Sequence, residues 1–192
     1  MGADTAIQPG SPRRAELLDR AYAYVLEHGI GSLSLRPLAS ACGTSPRVLL
    51  FLFGSKDGLV RELLARARDE QLAMVAAALE QDDEPGDNEV DEVDALLGRL
   101  WHWLSAPERR ASVRLTYEAF LCSLRRDPGP WQGFAAEQVQ GWLHLLYAAQ
   151  AGTPPALARA RATYVLAVVR GLLLDLLACD DPERVGSALP PR

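Results

Sequence analysis

Apolar side chains recur along the first third of the chain at the spacing of short helices. Over residues 12–27, Leu18, Ala21, Tyr22 and Val25 fall on one face of a 3.6-residue repeat. His28-Gly29 closes that helix, because glycine takes the left-handed conformation that ends helices. Ser34 is suited to cap a second helix reaching Cys42, with Pro37 in its first turn, where backbone N–H groups have no intrahelical acceptor. Gly43 breaks the chain, and Ser45 with Pro46 opens a brief third helix ending near Phe53-Gly54. Ser55 then caps a long fourth helix over residues 56–80.

Residues 81–88 are acidic, contain Pro-Gly and predict a solvated loop. Beyond them Val93, Leu97, Leu100 and Leu104 share a helical face. Pro107 begins a helix that ends near residues 127–130, and further helices are predicted over 131–151 and 156–178. No alternating strand pattern occurs, so the expected fold is all-α. It comprises a disordered arm (1–10), a three-helix helix-turn-helix domain (11–56) and a helical regulatory and dimerisation domain (57–192).

Charge sharpens this division. The net charge is −5, yet residues 11–66 carry eight basic against five acidic side chains, and the remainder carries twelve against twenty. A basic head on an acidic body suits local contact with DNA. Nineteen of the twenty basic residues are arginine, which genomic base composition can also produce. Cys42, Cys122 and Cys179 are too scattered for a disulfide framework or a zinc set, and a reducing cytoplasm suits them. Arg170 and Asp175 interrupt the apolar runs near the C-terminus. No stretch is therefore expected to span a bilayer, and the first ten residues lack the order of a signal peptide.

The segment 35–54 carries the functional signal. Ala39 is small where two helices would cross, and Gly43 stands four positions later, where a turn calls for positive φ. Leu38, Cys42, Leu49 and Leu52 supply the apolar sides that lock the pair. The segment beginning at Ser45 is then a rod sized for the major groove. On spacing alone, a plain helical hairpin fits as well.

The order Arg13…Leu17-Leu18…Ala21, His28-Gly29, Leu33-Ser34-Leu35, Leu38-Ala39, Cys42-Gly43-Thr44-Ser45, Leu49 and Phe53-Gly-Ser-Lys56-Asp-Gly-Leu59 resembles the N-terminal domain of TetR-family regulators. A looser similarity lies at Gly171-Leu-Leu-Leu-Asp175 and in the segment from Asp181 to Val185. The resemblance implies a homodimer on a palindromic double-stranded DNA operator, paired through the last two helices and released by a small apolar or aromatic effector. Repression is the outcome this analogy suggests. It implies DNA contacts at Ser34, Thr44, Ser45, Pro46, Arg47, Leu50, Phe51 and Lys56. Leu50 and Leu52 stand where the family usually has aromatics, and Arg47 where it has glycine. Phosphate contact by the missing aromatics is thereby in doubt, and Leu50 or Phe51 can instead meet thymine methyl groups. Arg13 and Arg14 can add phosphate contacts or be merely solvated.

In the second domain Trp101, Trp103, Tyr117, Phe120 and Trp131 are candidates for an aromatic effector wall, although aromatics at helical spacing are more often ordinary core. His102, Cys122 and His144 are candidate polar groups of that pocket. Gly141, Ala148, Ala149 and Ala167 would let helices approach closely across a dimer interface. No catalytic signature is present, and no metal or cofactor is called for. The rival to a regulator is a helical interaction protein that kept this scaffold without reading DNA.

Overall fold

The computed structural model describes residues 12–80, 92–125 and 128–189, and every regular element among them is helical. In chain order these are α1 (Pro12–His28), α2 (Leu35–Ala41), α3 (Pro46–Phe53), α4 (Lys56–Leu79), α5 (Glu92–Leu104), a 3₁₀ turn (Pro107–Arg109), α6 (Arg110–Leu124), α7 (Phe134–Ala148), α8 (Pro155–Cys179) and α9 (Pro182–Gly186). The arm expected over 1–10 and the acidic loop at 81–88 lie outside the described residues.

The helix boundaries differ from expectation where local chemistry intervenes. Pro107 opens a 3₁₀ turn that leads into α6. The segment 131–133 is held in turns, with Phe134 N–H bonded to the Trp131 carbonyl at 3.1 Å, so α7 starts three residues late. The short α9 was not anticipated. Its cap is Asp181, whose carboxylate accepts from Arg184 N–H at 3.0 Å, and Pro182 takes the first position.

Packing divides the chain into two compact units. One joins the residues up to Ala67 with Glu118–Ala135, and the other joins Arg68–Tyr117 with Ala136–Arg192. In the N-terminal unit α1 buries Leu17, Ala21, Tyr22 and Val25, the face its periodicity marks, apart from Leu18, which is only half-buried. Arg14 fastens α1 to its neighbours. Its guanidinium pairs with Glu62, donates to the Leu52 carbonyl at 3.4 Å and lies 5.0 Å over the Phe53 ring. It is thus held within the fold rather than merely solvated. Arg13 instead pairs with Glu16 one helical turn on.

In the C-terminal unit, the core joins Leu97, Leu100 and Leu104 of α5 to Trp142 and Leu146 of α7 and to Val165, Val169 and Leu173 of α8. Burying each such side chain contributes on the order of 1.5–3 kcal/mol. Gly141 serves this interior packing, since a Cβ there would come within 2.8 Å of the Leu72 side chain. α8 corrects one expectation. It is long and apolar enough to cross a membrane, with mean hydropathy 1.8 over its most apolar stretch, of which 33% is buried. Its inner face is ordinary core, whereas Leu157, Ala160, Tyr164, Ala167, Gly171, Leu174 and Ala178 are exposed. Those seven positions advance by alternating steps of three and four residues, the spacing of a helix-pairing seam.

Candidate nucleic-acid interface

The helix pair at residues 35–53 is built as the sequence requires. Leu38, Ala39 and Cys42 are fully buried, Leu49 is buried against them, and Leu52 is half-buried. Gly43 turns the chain at φ +64°, a conformation that suits glycine, and Thr44 N–H bonds back to the Ala39 carbonyl at 2.9 Å. Arg20 of α1 braces the turn by donating to the Cys42 carbonyl at 3.1 Å. Burial holds the Cys42 thiol above its usual pKa, against the pull of the Arg20 charge, so this cysteine is a packing group.

Ser45 anchors the start of α3, its hydroxyl accepting from Val48 N–H at 3.3 Å, and Pro46 occupies the first helical position. Burial of Leu49 and Phe53 fixes the roll of the rod. Arg47, Leu50 and Phe51 then share the opposite face, with Leu50 39% and Phe51 69% exposed. Ser34 caps α2 through its extended backbone and makes no side-chain cap bond, so its exposed hydroxyl is available to an acceptor or donor outside the helix. Thr44 is half-buried in the turn. Lys56 is exposed at the first position of α4. The chain folds back tightly there. Ser55 accepts from Gly58 N–H at 2.9 Å, and a Cβ on Gly58 would meet the Phe53 carbonyl at 2.2 Å. Ser34, Thr44, Ser45, Pro46, Arg47, Leu50, Phe51 and Lys56 therefore all belong to the N-terminal unit.

The five aromatic candidates do not belong to a single unit. Trp101 and Trp103 of α5 and Tyr117 of α6 lie in the C-terminal unit, while Phe120 and Trp131 lie in the N-terminal one. Trp103 lines a cleft of about 570 Å³ with His102, Pro107, Glu108, Arg109 and Arg110. The Arg109 guanidinium stacks 3.9 Å over its ring and donates to the Trp103 carbonyl at 2.6 Å. A second cleft, of about 310 Å³, lies between α5 and the end of α7, beside the Arg161–Glu92 pair at 2.7 Å. His144 is exposed and Cys122 half-buried.

Sequence reasoning overlooked a buried polar pair in the C-terminal unit. Gln138 donates to the Gln71 side-chain oxygen at 2.6 Å, and Trp142 Nε1 approaches the same oxygen at 3.4 Å. The Gln138 side-chain oxygen is buried without a hydrogen-bond donor. The signal was present in each helical stripe, as a glutamine at a position where periodicity asks for an apolar group. Among the described residues, no group of three or more His, Cys, Asp or Glu side chains is arranged to hold a metal ion.

The family model for bacterial regulatory proteins of the tetR family matches residues 17–63. The multidrug binding protein EbrR, solved in complex with ethidium, is 31% identical over 94% of this chain and 97% of its own, with a TM-score of 0.65. Its complex with proflavin aligns at 28% identity over 92% and 95%, with a TM-score of 0.63. A TetR-family member from Streptomyces coelicolor A3 is 29% identical over 94% of this chain and 99% of its own, with a TM-score of 0.65. No curated protein matches the chain.

Proposed function

Because the chain belongs to the tetR family of bacterial regulatory proteins, we propose that it binds a palindromic operator as a homodimer and releases it when a small molecule occupies the C-terminal unit. The observation that carries this reading is the exposed face of α3. Arg47, Leu50 and Phe51 project from a helix whose opposite side is sealed into a buried core, so the rod is presented rigidly. Ser34, Thr44 and Lys56 supply the surrounding phosphate contacts, and Ser45 and Pro46 start the rod.

The spacing of DNA grooves supports dimerisation. Two reading helices must reach successive major grooves about 34–36 Å apart. The seam of α8 is the surface that a second copy would cover, and Tyr147 and Ala148 at the end of α7, with Ala149 just beyond it, are exposed as well. Repression by occupying the operator in the cytoplasm is the simplest regulatory outcome of such a dimer.

Ethidium and proflavin, the ligands of EbrR in these complexes, are flat aromatic cations. We assign the same class to this chain's effector. Trp101 and Tyr117 supply aromatic surface in the C-terminal unit, Trp103 would add its ring once the ligand displaces the Arg109 guanidinium that now covers it, and Gln138 supplies a buried acceptor. Effector-bound protein would favour a conformation with the wrong half-site separation, so occupancy and operator affinity oppose each other.

Selection of bound fragments from the source genome, at stated salt, tests the operator. A recovered palindrome supports the reading, and indifference among duplexes removes it. The effector class is tested on the protein alone by tryptophan fluorescence, because such dyes also enter DNA. A second reading, a helical interaction module, draws on the same exposed Leu50 and Phe51. A footprint on DNA beside its own gene separates the two.

A further inference from the structure

Resting on the operator reading, we propose that α3 recognises thymine by its methyl group. Phe51, assisted by Leu50, is the specificity-determining residue, and the thymine lies beside a guanine taken by Arg47.

The argument starts from what α3 lacks. Its eight residues, Pro-Arg-Val-Leu-Leu-Phe-Leu-Phe, include no amide, hydroxyl or carboxylate side chain. Reading adenine in the major groove calls for the paired donor and acceptor of Asn or Gln, and reading cytosine calls for an acceptor such as Asp or Glu. Neither is available on this rod. Guanine remains open to Arg47, whose guanidinium fits its two acceptors, and thymine remains open to an apolar surface against its 5-methyl.

The structure then selects which apolar groups can reach. Leu49 and Phe53 are 1% and 6% exposed and cannot leave the core, whereas Phe51 is 69% and Leu50 39% exposed. Both stand three or four residues after Arg47, which is about 4.5–6 Å along the helix. That distance corresponds to roughly one or two base-pair steps of ~3.4 Å. An exposed phenyl ring beside a lone arginine therefore predicts a half-site in which thymine sits within about two base pairs of guanine. Water released from the ring and the methyl group favours this contact over the same site without the methyl.

The test uses the full-length protein and a duplex carrying the palindrome recovered by genomic selection. Each thymine is replaced in turn by deoxyuridine, which removes only the 5-methyl group. We expect one or two sensitive positions per half-site, each weakening binding about fourfold. In Phe51→Ala these positions fall silent, while sensitivity to 7-deazaguanine at the neighbouring guanine persists through Arg47. Phe51 is exposed, so the variant should keep its helical circular dichroism. Leu50→Ala provides a second, milder variant. Sequence-specific binding indifferent to every deoxyuridine overturns the inference and leaves the operator reading intact, as would follow if α3 met phosphates alone. Unchanged deoxyuridine sensitivity in both variants also overturns it. Loss of all sequence preference in the unmodified protein, the result expected if α3 docks a protein, removes both.

Discussion

The Glu118 carboxylate accepts a hydrogen bond from the Ile30 backbone N–H at 2.9 Å, tying α6 to the turn that joins α1 and α2. Eighty-eight residues separate the two. The same carboxylate crowds Gly29, where φ is +77° and an added Cβ would lie 2.9 Å from Oε2. A residue of α6 thus braces the turn that leads into the reading head, and the stretch of chain it begins, Glu118–Ala135, packs with the N-terminal helices.

Replacing Glu118 should loosen that turn specifically. A hydrogen bond to a charged acceptor contributes about 1.5–3 kcal/mol, and a neutral one about 1. Glu118→Gln is therefore expected to lose part of this and Glu118→Ala most of it in urea unfolding. In both, hydrogen exchange at the Ile30 amide should accelerate beyond that of its neighbours. Unaltered exchange at Ile30 in Glu118→Ala would show that the carboxylate does not protect it.

The N-terminal unit was legible because its rules are local. Caps at Ser34 and Ser45, the turn at Gly43 and the apolar stripe of α1 each lie within a few residues of their partners. Glu118 was not legible, because an exposed-looking acid that bonds a backbone N–H 88 positions away leaves no periodic trace. Arg14 was ambiguous for the same reason, since its partners Leu52 and Glu62 come from other helices. The effector residues were the least legible. Periodicity places Trp101 and Phe120 on helices without saying which unit each helix segment joins.

Tyr117 gives a pH signature. Its hydroxyl donates to the Arg170 carbonyl at 2.6 Å. Burial raises its pKa well above the ordinary tyrosine value, with the Arg170 charge only partly opposing. A raised value in the folded state means that the stabilisation is complete below about pH 10, where both states hold the proton. It is lost above that point, because only the unfolded state ionises there. Stability should fall by about 1.4 kcal/mol per pH unit beyond about pH 10 through this group. Subtracting the profile of Tyr117→Phe isolates it. That variant should be about 1 kcal/mol less stable near neutrality and shallower in alkali. Parallel alkaline limbs in the two proteins would contradict the assignment.

The buried Gln71–Gln138 pair predicts non-additive mutations. Gln71→Leu removes the acceptor shared by Gln138 and Trp142, stranding two buried donors, and should cost about 1–3 kcal/mol. Changing Gln71 and Gln138 to leucine together removes the pair's mutual need. It should cost less than the sum of the two single changes, with a coupling of about 0.5–3 kcal/mol. If Gln138 is the effector's acceptor, the double variant also loses dye binding while remaining folded. Additive stabilities would show that the hydrogen bond contributes nothing measurable.

The α8 seam makes the sharpest claim about assembly, because its two faces answer to different partners. Val165, Val169 and Leu173 are buried within the C-terminal unit, so charging them would unfold it whatever the oligomeric state. Leu174 and Tyr164 are 49% and 56% exposed, and nothing within one chain's described core depends on them. Leu174→Glu would place a carboxylate in a seam that, in a twofold pair, meets its own copy. Removing an apolar anchor of an interface costs on the order of 1–2 kcal/mol, so self-association should weaken by roughly 5- to 30-fold. Sedimentation should then show monomers with full helical content. Operator affinity should fall steeply, since each half-site would have to be bound independently. Ala73→Glu, on an exposed position of α4, controls for added charge and should remain dimeric. A Leu174→Glu protein that sediments like the parent would mean that the seam is covered by something other than a second copy. The pairing of reading heads would then need another surface.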